Sequence, residues 1–306
     1  MSSDFFQRGI HPVLYTFFNA DGSIDDGALG AEIDWTLAAG AHGLVTHGLA
    51  SEVAKLDLDE RRHVLRRILA HVDGRAPVAV TVSEPSVRGQ IAFAREAVEA
   101  GASWIIIQPP QVRVGEGVLA DFVAAVASEI DIPVAVQSNP ANMDVYLSNA
   151  TLLALHKRCP NITLLKAEGP ATSVLELTSQ SQMAVFGGRN GLELVSSLQA
   201  GAAGNVPAPE FTRELVRIYE LATSKRPGDM DAARREMARI LPAIVFVNHN
   251  LLTQVCYGKR VLAWRMGMPE VFDRGPALAP TDFALAELKN LLLLTEEEAG
   301  LKRVAL

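Results

Sequence analysis

The sequence predicts a (β/α)8 TIM barrel followed by an all-helical C-terminal extension. Up to about residue 207, short apolar runs alternate with longer segments of helical period, which is the pattern of βαβ units around a parallel sheet. There are eight such runs, the number of strands in a (β/α)8 barrel. After Pro209 every apolar pattern is helical. We therefore predict a barrel that carries the active site over residues 1–209 and a helical subdomain packed on it over residues 210–306.

The elements follow in chain order. Strands are predicted where the apolar runs are rich in β-branched residues, at His11–Tyr15, Gly43–His47, Pro77–Val82, Trp104–Gln108, Pro133–Ser138, Ile162–Lys166, Met183–Phe186 and Gly204–Val206. Helices are predicted for the amphipathic segments between them, such as Ala28–Ala39, Asp57–His71, Ser86–Ala100, Gly117–Ser128, Ser148–Lys157 and Leu192–Ala200. In the extension, helices are predicted at Glu210–Thr223, Asp229–Val247, Leu251–Met266 and Thr281–Glu297.

Composition and charge exclude several classes of function. The 306 residues carry a net charge of −7 without clustered Lys and Arg, which argues against a nucleic-acid surface. No run approaches the roughly 18 apolar residues of a membrane span, and Met1–Gly9 lacks the apolar core of a signal peptide. Cys159 and Cys256 lie far apart, without the spacing of metal ligands. We expect a cytoplasmic protein that needs no metal, membrane or nucleic acid.

A lysine ends the sixth predicted strand. The carboxyl ends of barrel strands line the active site, so Lys166 is expected at its mouth. Such a lysine can simply reach solvent or pair with a carboxylate such as Glu168 or Glu52. Alternatively, burial among apolar neighbours disfavours its charged form and lowers its pKa, and a neutral amine attacks carbonyl carbons. The position at a strand end favours the second interpretation, a Schiff-base nucleophile.

Several motifs along the chain resemble one family. They are "GIHPVLYTFFNADGSID" (Gly9–Asp25), "GLASE" (Gly48–Glu52), "DLDERRHVLR" (Asp57–Arg66), "IPVAVQSNP" (Ile132–Pro140), "LLKAEGP" (Leu164–Pro170) and "GGRNG" (Gly187–Gly191). Together they are similar to the class I aldolase family of dihydrodipicolinate synthase and N-acetylneuraminate lyase. The resemblance implies a homotetrameric barrel without a cofactor that acts on a small-molecule 2-oxo acid, with Lys166 forming the imine.

The chain departs from that family at informative positions. Gln137 stands where the family has a tyrosine in the fifth-strand motif. Leu49 and Ala50 replace two threonines whose hydroxyls bind the substrate carboxylate in the family, which leaves Ser51 as the one hydroxyl of that motif. Val112 stands near the place of a second tyrosine, from the fourth strand. These departures argue against dihydrodipicolinate synthase activity.

The same departures are similar to one branch of the family, the dehydratases of 2-keto-3-deoxy sugar acids and in particular of 2-keto-3-deoxy-L-arabonate. Aldol cleavage needs a base on the C4 hydroxyl, whereas elimination needs the C3 proton removed and the hydroxyl expelled. Glutamine cannot act as a base, but its amide can bond to a substrate hydroxyl. We therefore predict a hydro-lyase with Lys166 and Gln137 as catalytic residues. A retro-aldolase, a deaminase of a cyclic imino acid and a non-catalytic 2-oxo-acid-binding protein remain alternatives.

The remaining candidates follow the other strand ends. Substrate contacts are predicted for the Ser51 hydroxyl and the Ala50 backbone N–H after the second strand, and for Gly188, Asn190 and Asn205 after the seventh and eighth. Arg189 lies in the same glycine-rich loop and can bind a hydroxyl or carboxylate. His47 is either a proton shuttle or a packed core residue, and Glu168 lies in the first turn of a helix, where a carboxylate is favoured.

Overall fold

A computed structural model describes residues 8–298 of the chain. Eight parallel strands in this range form one sheet with the order β1-β8-β7-β6-β5-β4-β3-β2. The strands are β1 (Gly9–Ile10), β2 (Leu44–Thr46), β3 (Val78–Val82), β4 (Trp104–Ile107), β5 (Val134–Ser138), β6 (Ile162–Ala167), β7 (Ala184–Gly187) and β8 (Gly204–Asn205). The sheet curls so that Val13, just after β1, bridges in parallel to Val45 of β2. The arrangement is that of a TIM barrel.

Seven helices connect the strands and cover the outside of the sheet. They are α1 (Asp26–Ala38), α2 (Leu58–Val72), α3 (Val87–Glu99), α4 (Glu116–Ala127), α5 (Asn149–Arg158), α6 (Ala171–Gln180) and α7 (Leu194–Gln199). Their starts are set by local chemistry: α2, for example, begins at a capping box between Asp57 and Glu60. Short 3-10 turns occur at Val53–Lys55, Arg189–Gly191 and Pro209–Phe211.

The described chain after β8 consists of helices and connecting segments. The helices are α8 (Thr212–Thr223), α9 (Asp229–Val247), α10 (Leu251–Thr253), α11 (Lys259–Met266) and α12 (Asp282–Glu298), and a π-helical segment at Gln254–Gly258 joins α10 to α11. Among residues 8–298 no single helix is long and apolar enough to span a bilayer; α9 meets that test only together with Leu251–Met266, from which it is bent by 104°.

The predicted (β/α)8 pattern of the barrel is confirmed, and two predicted elements differ in detail. The first strand pairs with β8 at Gly9–Ile10 rather than over His11–Tyr15, because beyond Ile10 the chain turns toward β2 and pairs with it through the Val13 bridge. The predicted helix Leu251–Met266 is divided by the π-helical segment. The domain boundary at residue 209 stays a prediction.

Side chains inside the barrel come from alternate positions on each strand. Ala135 of β5, Leu164 of β6 and Phe186 of β7 pack together there with Trp104 of β4. Successive side chains of a strand point to opposite faces of the sheet. The positions two residues further along β5 and β6, Gln137 and Lys166, therefore lie on the same interior face, one step nearer the carboxyl end.

Candidate active site

Lys166 lies near the carboxyl end of β6 and is 4 % exposed. It pairs in register with Gln137 on β5 and with Phe186 on β7. Gln137 is fully buried, and its side chain is thus the neighbour of the lysine on the adjacent strand. The structure brings together the two residues that the sequence predicts as catalytic.

Glu168, two residues beyond the lysine, is the centre of the hydrogen bonds around it. Its Oε1 lies 3.2 Å from Lys166 Nζ and accepts a hydrogen bond from Gln137 Nε2 at 2.8 Å. Its Oε2 accepts from the backbone N–H of Arg189 at 3.3 Å. The lysine is therefore not surrounded by apolar groups alone, as the sequence suggested, because a buried carboxylate stands beside it.

Gly188 provides the space for this carboxylate. A Cβ atom at position 188 would lie 2.5 Å from both Cγ and Oε2 of Glu168, a distance at which one of the groups must move. Gly188 was predicted to contact substrate; in the structure its missing side chain admits Glu168, and its carbonyl accepts from Asn205 Nδ2 at 3.3 Å.

A cavity of about 30 Å³ opens above the lysine at the carboxyl ends of the strands. Its charged lining consists of Lys166, Glu168 and Arg189. The remaining wall comes from loops after five strands, from α10 and from the π-helical segment, and includes Val13, Leu49, Ala50, Asn139, Asn142, Asn190, Val206, Pro207, Ala208, Leu251 and Gln254. Within residues 8–298 there is no group of three His, Cys, Asp or Glu side chains arranged to hold a metal ion.

A buried hydrogen-bond cluster supports one wall of this cavity. Asn190 donates through Nδ2 to Glu210 Oε1 at 2.6 Å, and its Oδ1 accepts from the N–H of Ala208 at 3.0 Å. The other Glu210 oxygen accepts from the Tyr15 hydroxyl at 2.9 Å. Burial raises the pKa of Glu210, and burial together with the neighbouring Glu210 carboxylate raises the pKa of Tyr15 well above its usual value. Asn190 lines the cavity, but its side-chain amide is already bonded to Glu210 and to the Ala208 N–H.

The other predicted substrate contacts lie in different surroundings. Ala50 lines the cavity, as its predicted role requires. Ser51 does not: its hydroxyl donates to the Leu14 carbonyl at 2.6 Å, because the turn after β2 packs against the segment after β1. Asn205 is buried beside β7, where its Nδ2 is bonded to the Gly188 carbonyl.

His47 occupies a packed position. Its Nδ1 lies 3.0 Å from Thr46 Oγ1 and its Nε2 lies 2.9 Å from the Arg61 carbonyl. Burial lowers the pKa of the imidazole to about 4. With both ring nitrogens engaged away from the cavity, the packed interpretation fits and the proton-shuttle interpretation does not.

Sequence reasoning missed three features of this region. From the sequence, Glu168 is weighed as a pairing partner of Lys166 and as a favourable charge at a helix start, but its bonds to Gln137 and to the Arg189 N–H are missed, because those residues are distant in the chain. Glu210 was missed because its hydrogen-bond partners, Tyr15 and Asn190 of the glycine-rich loop, lie far from it in the sequence. Lys259 is fully buried on α11 and forms an ion pair with Glu52, which no local pattern indicated.

Comparison with known proteins identifies the family of this barrel. The model of the dihydrodipicolinate synthetase family matches residues 6–291, nearly the whole chain. The chain belongs to the dihydrodipicolinate synthetase family. It is thus an enzyme of a family of lyases and aldolases.

Individual relatives within the dihydrodipicolinate synthetase family differ in activity. The chain is 32% identical over 246 residues to L-2-keto-3-deoxyarabonate dehydratase of Azospirillum brasilense, covering 78% of each protein. It is 27% identical over 249 residues to 4-hydroxy-tetrahydrodipicolinate synthase of Salinibacter ruber, covering 80% of this chain and 82% of that protein.

Solved structures share the fold. Dihydrodipicolinate synthase from Rhodopseudomonas palustris superposes with a TM-score of 0.87 at 24% identity, over 94% of this chain and 97% of that one. A prophage protein of the same family from E. coli K12, solved in complex with pyruvate, has a TM-score of 0.85 at 25% identity, over 94% and 98% of the two chains.

Proposed function

We propose that this protein is a lysine Schiff-base lyase that dehydrates a 2-keto-3-deoxy sugar acid. The observation that carries the proposal is the arrangement at Glu168, whose one carboxylate contacts both Lys166 Nζ and Gln137 Nε2 inside the barrel. The proposal assigns Lys166 as the nucleophile, Glu168 as the adjacent base and Gln137 as a neutral hydrogen-bonding group for the same substrate. The similarity to the Azospirillum dehydratase supports the same reaction class.

The first stage is formation of the imine. Glu168 is placed to take a proton from the Lys166 ammonium at 3.2 Å, and the neutral amine then attacks the C2 carbonyl of the substrate. Glu168 gives this proton to the former carbonyl oxygen, which leaves as water, so that an iminium ion remains at C2 and Glu168 is again a carboxylate. The positive nitrogen withdraws electrons from C3 and makes its protons acidic.

Elimination then needs one base and one departing hydroxyl. The Glu168 carboxylate removes a C3 proton, the electron pair forms the C3–C4 double bond, and the C4 hydroxyl leaves as water with the proton that Glu168 returns. In this proposal the amide of Gln137, which is bonded to Glu168 just below the residues that line the cavity, binds a substrate hydroxyl. In a five-carbon substrate, moving a proton from C5 to C3 turns the product into an enol and then an aldehyde, and hydrolysis of the imine releases it; no oxidant is needed.

The lining of the cavity supports elimination over cleavage of a carbon–carbon bond. No tyrosine is among the described residues that line it, and the Tyr15 hydroxyl is bonded to Glu210 behind the wall. A base for the C4 hydroxyl other than Glu168 is therefore absent from the described lining. A cytoplasmic location, expected from the composition of the sequence, and a homotetrameric assembly, expected from the family resemblance, belong to this proposal.

The proposal is tested by trapping and by product analysis. Reduction with borohydride in the presence of pyruvate should attach the three-carbon acid irreversibly to Lys166, as shown by peptide mass spectrometry, and a Lys166→Met variant should gain no mass. With 2-keto-3-deoxy-L-arabonate, the product should be 2,5-dioxopentanoate, detected through an NAD-dependent aldehyde dehydrogenase.

Each competing reaction leaves a different product. Release of pyruvate and an aldehyde would identify a retro-aldolase, and release of ammonia from a cyclic imino acid would identify a deaminase. An adduct at a different lysine, or none, would rule out Schiff-base chemistry at Lys166 and favour a non-catalytic barrel.

A further inference from the structure

Arg189 is the one arginine that lines the cavity beside Lys166. It is half-buried, in the loop after β7. Its backbone N–H donates to Glu168 and its carbonyl accepts from Asn248 Nδ2 at 3.0 Å, but its guanidinium makes no hydrogen bond or ion pair with any residue between 8 and 298. Arg189 therefore belongs to the cavity lining, and no carboxylate among residues 8–298 compensates its guanidinium.

The other half-buried arginines of the described chain show how unusual this is. Six of them pair with a carboxylate at 3.3 Å or less: Arg61 with Glu84, Arg62 with Glu96, Arg239 with Glu236, Arg260 with Asp273, Arg265 with Glu214 and Arg274 with Glu60. Partial burial of a charge costs free energy unless a partner compensates. Arg189 alone among these seven lacks such a partner, and it is the one at the cavity.

The backbone at this position is also held in an uncommon conformation. Arg189 and Asn190 both have a left-handed backbone, with φ of 51° and 56°. Residues other than glycine adopt this region at a cost that surrounding contacts must offset. Here the contacts are the Glu168 carboxylate on the Arg189 N–H and the Asn248 amide on its carbonyl. The loop is thus fixed by the same carboxylate that contacts the lysine.

The charges in the cavity favour one additional anion. Lys166 and Glu168 form a pair, so Arg189 leaves one positive charge in excess. A 2-oxo acid bound as an iminium keeps the positive charge on the nitrogen and adds one carboxylate. After β2, Leu49 and Ala50 line the cavity without any side-chain donor for that carboxylate.

We propose that Arg189 binds the C1 carboxylate of the 2-oxo acid and selects for anionic substrates. This inference rests on the proposed Schiff-base function and adds a recognition residue to it. A guanidinium offers several N–H groups in a planar fork that fits a carboxylate with two parallel hydrogen bonds.

The experiment compares pyruvate with methyl pyruvate, which has the same carbonyl but no negative charge. For each compound, the concentration that gives half-maximal borohydride trapping at Lys166 is measured by intact mass. Wild-type protein should prefer pyruvate. Arg189→Gln should reduce this preference about 10- to 100-fold, since hydrogen bonds to charged groups contribute more than neutral ones. Arg189→Lys should retain part of it.

Arg235→Gln is the matched control, since Arg235 lies exposed on α9 and its loss changes the net charge equally. Its preference should equal that of wild type, and circular dichroism should show that all variants are folded. An unchanged preference in Arg189→Gln would overturn this inference while the Lys166 adduct still supports the proposed function. Failure of wild type to form an adduct with either compound would overturn both.

Discussion

Glu168 serves two neighbours with a single carboxylate oxygen. Its Oε1 contacts both Lys166 Nζ and Gln137 Nε2, while Oε2 is bonded to the Arg189 N–H. A proton gained or lost by Glu168 therefore changes the hydrogen bonding of the lysine, the glutamine and the loop after β7 together. In the proposed reaction, the same group can activate the lysine and later move the C3 proton.

Replacing Glu168 by glutamine should separate imine formation from elimination. The amide keeps the size of the side chain but cannot accept a proton, so we expect dehydration of a 2-keto-3-deoxy sugar acid to fall about 10²- to 10⁴-fold. Trapping of pyruvate at Lys166 should continue, at a reduced rate. The measurements are aldehyde release and the mass of the reduced adduct.

The control is Glu99→Gln, an exposed carboxylate on α3 that should leave both rates unchanged. If Glu168→Gln dehydrates as fast as wild type, another group removes the C3 proton. If it loses the adduct as well, Glu168 acts mainly in activating the lysine.

At this scale the sequence supports some inferences and not others. A lysine at the end of an apolar strand can be recognised locally, and family motifs extend the inference to Gln137. The lack of a carboxylate partner for Arg189 cannot be recognised locally, because it depends on the positions of all the carboxylates in the folded chain. Likewise, Ser51 has a hydroxyl at the position where the family binds the substrate carboxylate. In the folded chain, however, this hydroxyl donates to the Leu14 carbonyl instead.

Among the elements, the π-helical segment Gln254–Gly258 couples the extension to the cavity wall. The Gln254 residue lines the cavity, and its carbonyl lies 3.4 Å from the Tyr15 hydroxyl. At the other end of the segment, a Cβ on Gly258 would lie 2.4 Å from the same hydroxyl and 2.7 Å from Glu210 Oε1. Because Gly258 has no side chain, the hydrogen-bonded Tyr15 hydroxyl and Glu210 carboxylate can lie directly against the backbone of the π-helical segment.

We expect Gly258→Ala to destabilise the protein by about 1–3 kcal/mol, the usual range for overpacking a filled core. Its methyl group should also displace Glu210 and so release Asn190, which lowers the affinity for 2-oxo acids. Urea denaturation measures the first effect, and the pyruvate concentration for half-maximal trapping measures the second.

A double variant tests the cause. Removing the hydroxyl in Tyr15→Phe/Gly258→Ala should recover part of the lost stability, which a double-mutant cycle quantifies. Gly117→Ala on α4, where an added Cβ meets nothing within 4 Å, serves as the control and should not be destabilised. Additive losses in the cycle would show that the two positions do not interact.

The bounds of an element are predicted correctly where a local sequence pattern sets them, and incorrectly where contacts with distant parts of the chain set them. The predicted helix Asp229–Val247 has the observed bounds of α9, since its apolar period is regular. The sequence predicts continuous helix across the π-helical segment, because its residues keep a helical spacing and the groups that lie against Gly258 come from elsewhere in the chain. The predicted bounds of β1 are wrong because they depend on which residues pair with β8, and this pairing cannot be read from the β1 sequence alone.

Over the whole molecule, the barrel and the C-terminal helices share their apolar cores. Ile10 of β1 packs in the cluster formed by α8, α9 and α12, and Leu262 of α11 packs with residues from inside the barrel. Between them Lys259, fully buried on α11, forms an ion pair with Glu52 after β2 and donates to the Thr16 carbonyl at 2.8 Å. Residues on both sides of the boundary predicted at residue 209 thus pack in common apolar clusters.

We therefore expect the described barrel and helices to unfold as one cooperative unit, held together in part by Lys259. Lys259→Met should lower the free energy of unfolding by about 3–5 kcal/mol, since it leaves the Glu52 carboxylate buried with a weaker set of partners. Urea titrations followed by tryptophan fluorescence and by circular dichroism, at one protein concentration, should give coincident transitions in wild type.

The matched variant is Lys259→Met/Glu52→Gln, which removes both charges. It should regain part of the stability lost in Lys259→Met, because in that variant the buried Glu52 carboxylate keeps only Lys55 as a charged partner. Lys157→Met, on the far side of the barrel in α5, should leave the midpoint nearly unchanged. Two separate transitions in wild type would instead make residues 210–306 an independently folding subdomain, and the ion pair would then act only at their interface.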